Sequence, residues 1–105
     1  MSPAAVKSET PDLDKFRDEL AEAHKPADGY ERMLVSEIAQ AWFRLEKARE
    51  VEQRYCSTRD MVEVITTKLE EFKAITRYVA ECERAWRHAV ESLERSQHRR
   101  QRLSQ

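Results

Sequence analysis

Between Leu69 and Leu93 the chain holds neither glycine nor proline and repeats an apolar residue at alternating steps of three and four. Phe72, Ile75, Val79, Cys82, Trp86, Ala89 and Leu93 mark the line, and Ser96 continues it. Steps averaging 3.5 residues lay one apolar seam along a helix, in the a/d rhythm of a coiled coil. Such a seam says what the chain is built from and nothing about chemistry.

The rest of the chain is compatible only with more of the same. It has 105 residues, one glycine, and 37% charged residues. Closing sheets and tight turns takes more glycine than that, whereas helices do without it. The length allows one domain. The fold class expected is all-α.

A second heptad line precedes the first. Asp28 with Glu31 forms a D-x-x-E capping box, and Leu34, Ile38, Ala41, Leu45, Ala48, Glu52 and Tyr55 follow in register. Met33, Trp42 and Val51 flank that line, and Glu52 is its one polar member. A helix over 29–56 is expected, with Glu50 and Arg54 as an i,i+4 pair. Upstream, Thr10-Pro11 reads as a helix start, and Leu13, Phe16, Leu20 and Ala23 form a narrow stripe over 11–24. A helix this short is marginal alone and must dock on something. Pro26 and Gly29 read as its breakers. Residues 1–9, small and polar, read as a disordered lead-in, and 101–105 as a frayed tail.

The connection between the long helices is the ambiguous segment. Ser57 with Asp60, and Thr67 with Glu70, are equally good capping boxes, with the β-branched run MVEVITT between them. Because Met61, Ile65 and Phe72 stay on the seam, a continuous helix over 59–99 is the favoured reading. That helix would overhang its antiparallel partner, leaving Ala89, Val90 and Leu93 bare. A turn spanning 57–66 would instead match the two helices in length.

The segments RYVAECERAWRHAVESLERSQ (77–97) and AQAWFRLEKAREVE (39–52) resemble the last two helices of a family of uncharacterised bacterial proteins. Arg77, Tyr78, Glu83, Arg84, Trp86, Ala89, Leu93, Glu94, Arg95 and Gln97 carry the likeness in the final helix. The preceding helix shares a Trp-Arg-Leu core, here with Phe43 between Trp42 and Arg44, and the His-Gly-Leu motif of many members does not occur in this chain. The resemblance implies an all-helical bacterial protein and brings no activity with it.

Most chemistry lacks its residues. A di-iron bundle needs Glu-x-x-His on facing helices, and none of His24, His88 and His98 follows a Glu at that spacing. Cys82 lies on the apolar seam and Cys56 near a helix C-terminus, where the dipole disfavours a thiolate. One glycine makes no phosphate loop. No enzyme, cofactor, metal site or small-molecule substrate is expected. No apolar run approaches a membrane span and no signal-peptide core is visible, so a cytoplasmic protein with reduced thiols is expected.

What remains is association. The expected unit is an antiparallel helical hairpin with a short helix across it, whose thin core self-association would complete. The expected function is a non-enzymatic helix-docking module, a homodimer or the partner of another helical protein, working through Tyr78, Trp86, Ala89, Val90 and Leu93. Arg-Glu pairs such as Glu83–Arg87 and Glu91–Arg95 either decorate a solvated face or set partner choice. The alternative is nucleic-acid binding. Arg95, Arg99, Arg100 and Arg102 would then neutralise phosphates without reading bases.

Overall fold

A computed structural model describes residues 10–103 and shows four helices and no strand among them. In chain order they are α1 (Thr10–His24), α2 (Gly29–Thr58), α3 (Met61–Thr67) and α4 (Leu69–Leu103). Helices α2 and α4 form the antiparallel hairpin, α1 lies along α2, and α3 caps the closed end against α4. The radius of gyration is 18.1 Å, against about 13 Å for a compact chain of this size, so the unit is elongated. The expected lead-in, residues 1–9, lies outside the described residues.

The heptad lines do become the hairpin's core. Leu34, Val35 and Ile38 of α2 meet Ala89 and Leu93 of α4, and Leu45 and Ala48 meet Cys82 one layer further on. At the closed end Tyr55 stacks on Phe72 with ring centroids 6.1 Å apart. The Arg59 guanidinium sits 4.1 Å over the Tyr55 ring. Burial, with Glu71 nearby, raises the Tyr55 hydroxyl above its usual value.

Helix α1 docks by part of the expected stripe, with Ala21 packed inward in place of Ala23, which is exposed. Leu20 and Ala21 pack on the first core layer, and Phe16 lies 6.5 Å from the Trp42 ring. It ends where Lys25 takes φ 49° and donates its N–H to the Ala21 carbonyl, an αL cap followed at once by Pro26. Gly29 plays no part in that break. Its φ is not positive, and it is simply the first residue of α2.

The connection departs from the continuous helix expected over 59–99. Arg59 is extended and Asp60 caps α3, its carboxylate accepting from Val62 N at 3.1 Å. The helix then breaks at Lys68 (φ −130°, ψ 29°). Neither expected capping box forms, because the Ser57 hydroxyl turns back to Arg54 O and the Thr67 hydroxyl to Glu63 O. Thr66 likewise donates to Val62 O and Glu63 O. Such bonds soften a helix turn, but Thr76 and Ser92 make them inside unbroken α4. They do not by themselves account for the break, across which Lys68 N still donates to Val64 O at 2.8 Å. At the other end α4 runs past the expected 99 to Leu103, and residues 104–105 of the expected tail lie outside the described residues.

The break restores the length match. Because α4 effectively starts at Leu69, its far end draws level with the start of α2 instead of overhanging it. Ala89 and Leu93 are therefore buried inside the hairpin, at 6% and 1% exposure.

Candidate docking surface

Of the five residues expected to form a partner interface, four belong to the chain's own interior. Ala89 and Leu93 are core, and Trp86 and Val90 are half-buried against that core on the side where α1 lies. Trp86 also meets Trp42, with ring centroids 5.1 Å apart. The Trp86–Leu93 segment is thus corrected from a free docking end to the seat of α1 and α2. Only Tyr78 faces outward, at 50% exposure.

Tyr78 belongs to a surface that the periodicity placed beside the seam without revealing its extent. Along α2, Val35, Ala39 and Trp42 point towards α1, while Arg44, Ala48 and Val51 lie about 180° round the helix. Helix α1 covers the first side of the hairpin. The second side is a mainly apolar groove of about 660 Å³ between α2 and α4, floored by Phe43, Ala48, Val51, Ile75 and Tyr78, with Leu13 of α1 at one rim and Gln40, Arg44 and Lys47 of α2 along it. Tyr30 and Met33 continue the same stripe towards the open end of the hairpin, and both are about half exposed. Arg44 and Glu81 stand close enough to the Tyr78 hydroxyl to act on it electrostatically. The adjacent Cys82 thiol pushes that hydroxyl above its usual range.

The arginine tail is not free either. Arg100 forks onto Glu31, Nη2 to Oε1 at 3.2 Å and Nε to Oε2 at 3.3 Å. Ser96 Oγ donates to the same carboxylate at 3.0 Å, as does Ala27 N at 3.1 Å. Glu31 itself is 1% exposed. Burial pulls its carboxyl up, but Arg100, Ala27 and Ser96 together outweigh burial and hold it below the usual 4.5. The capping box is real, with Glu31 N donating to Asp28 Oδ1 at 2.9 Å. What sequence reasoning missed is that the box glutamate also fastens the end of α4. Its only sequence signal is the D-x-x-E motif, which says nothing of a partner 69 residues away. Arg95 bonds to Ser92 Oγ, and Arg99 and Arg102 are exposed.

Charged pairs elsewhere among the described residues join neighbouring turns of one helix, with one exception. Glu83 takes Arg87 from its own helix and reaches Arg49 of α2 at 3.5 Å, so that network crosses the intramolecular interface. Glu50–Arg54 forms at 2.8 Å, whereas Arg95 turns to Ser92 rather than to Glu91.

Among the described residues no three His, Cys, Asp or Glu side chains gather to hold a metal ion. Cys56 and Cys82 are both free thiols, the second buried. No described helix is long and apolar enough to cross a membrane. The chain matches no protein-family model, no curated protein and no solved structure.

Proposed function

We propose that this chain is a non-enzymatic assembly module that works by helix-on-helix docking, as a homodimer in the cytoplasm. One observation carries the reading: α1 roofs one side of the hairpin, while the mainly apolar groove on the other, with Leu13 of α1 at its rim, stays open among the described residues. A two-helix layer with one bare face buries little, and thin all-helical units gain stability by acquiring another layer. Tyrosine and valine at half exposure on that face are the kind of side chains that anchor an interface. The free thiols of Cys56 and Cys82 suit a reducing compartment.

The arginine tail supports nucleic-acid binding less well. Its best-placed member, Arg100, is committed to Glu31, and the remainder amounts to a few phosphate contacts. Size-exclusion chromatography with light scattering tests the reading directly. Twice the chain mass is expected. A monomer at every concentration, or nucleic acid co-eluting and leaving in high salt, would overturn it.

A further inference from the structure

Resting on that assembly reading, we propose that the occupant of the open groove is a second copy of this chain, with the two-fold axis running along the hairpin. Helix α2 of each copy then faces α4 of the other, and the two α1 helices lie on the outside of a four-helix core.

The dimensions allow it. The face from Tyr30 to Val51, of which the groove occupies the part beyond Gln40, runs about 32 Å along α2 at 1.5 Å per residue. Two helices packed 8–10 Å apart present a face about 20 Å wide. The patch is therefore about 600 Å² per copy and about 1,200 Å² in all, which reaches the range of specific interfaces. A net charge of −1 gives two identical chains little long-range repulsion to overcome.

Charge selects the second copy and its orientation. An isologous interface must be complementary to itself, so a patch of one sign disfavours it. Arg44 and Lys47 of α2 line the groove, and Glu81 of α4, three residues on from Tyr78, stands at its edge close enough to act on the Tyr78 hydroxyl. An axis along the hairpin exchanges the two sides while keeping each residue at its own height. Arg44 then lies across from the other copy's Glu81, and the pairing occurs twice. An axis across the hairpin would instead set α2 on α2 and bring Arg44 of one copy towards Arg44 of the other. Like charges across an interface are strongly disfavoured. Tyr78, near the centre of the groove, meets the α2 wall of the other copy at Ala48 and Val51.

Light scattering on the full chain, with circular dichroism to confirm helix content, tests surface and orientation together. Tyr78→Glu and Val51→Glu should each raise the dimer dissociation constant by about tenfold or more, a change equivalent to 1.4 kcal/mol. Both side chains are at least half exposed, so the monomer keeps its helices. Arg44→Glu alone and Glu81→Arg alone should weaken the dimer, and the two together should restore it. A monomeric wild type would sink the assembly reading itself. A dimer indifferent to both Tyr78→Glu and Val51→Glu would show that the copies meet elsewhere. A dimer weakened by those variants but not restored by the charge exchange would overturn the orientation.

Discussion

Arg100, in the last turn of α4, reaches back to the first turn of α2 and clasps Glu31 through two parallel hydrogen bonds of 3.2 and 3.3 Å. The open end of the hairpin is closed by this fork. Both carboxylate oxygens are fully used, since Ala27 N and Ser96 Oγ complete the set. A carboxylate at 1% exposure is tolerated because each lone pair lost to water is replaced.

Removing the clasp should therefore cost stability without touching the open groove. Arg100 is itself 46% exposed, so water screens the pair and replaces part of what is lost. Arg100→Ala is expected to destabilise by about 1–2 kcal/mol in urea unfolding. A loss below a few tenths would mean that the fork is surface decoration.

The same carboxylate sets a pH dependence whose sign follows from its depressed folded value. Glu31 ionises below 4.5 when folded and near 4.5 when unfolded. Its contribution is then complete above the unfolded value and disappears as pH falls through the folded one. The stability gap between wild type and Glu31→Gln should be widest at neutral pH and shrink below about pH 4.5. A gap that stayed constant down to pH 3 would remove the carboxylate from the account.

Much of this was legible beforehand, and the failures share a cause. The seams through Leu45 and Leu93 announced themselves because burial on one helix face imposes a period that survives in the sequence. The break at Lys68 did not, since α3 keeps apolar residues on the seam and no glycine or proline marks the position. That one misplaced turn shifted the register of the hairpin and made Ala89 and Leu93 look bare. Glu31 was read as a cap and was one, but a motif that spans four residues carries no record of Ser96 and Arg100. Tyr78 showed as an offset from the seam, though the groove it borders takes both helices to define.

Leu93 now makes a prediction opposite in kind to the one its sequence position suggested. At 1% exposure it fills the first core layer against Leu34 and Ile38. Leu93→Ala should cost about 2–5 kcal/mol of folding stability, the range for large-to-small changes in a core. Leu93→Arg should lose helical circular dichroism rather than merely change mass. A folded Leu93→Arg monomer would return that residue to an outer surface.

Gly29 offers a gain. Its φ is not positive, and a Cβ built there meets only Arg32 Nη2 at 4.0 Å, an ordinary contact. Gly29→Ala narrows the unfolded ensemble without straining the fold and should stabilise by about 0.4–1 kcal/mol. A loss of stability on the same denaturation curve would mean that the turn before α2 needs glycine's freedom after all.

Helix α3 should be the softest of the described helices. It is seven residues long, buries only Val64, and leaves Val62 and Ile65 at 71% and 55% exposure. Its ladder is weakened by three threonine hydroxyl bonds to Val62 O and Glu63 O, and it ends at the Lys68 break. Local opening takes less free energy where few apolar contacts hold a segment and its backbone bonds face water. Amide hydrogen exchange should therefore run through 61–67 well before the core turns of α4 around Cys82 and Leu93. Thr66→Ala with Thr67→Ala removes the competing bonds and raises helix propensity, so protection in 61–67 should increase. Protection in α3 equal to that of α4 in the unaltered chain would show that the hairpin tip is held by more than Val64.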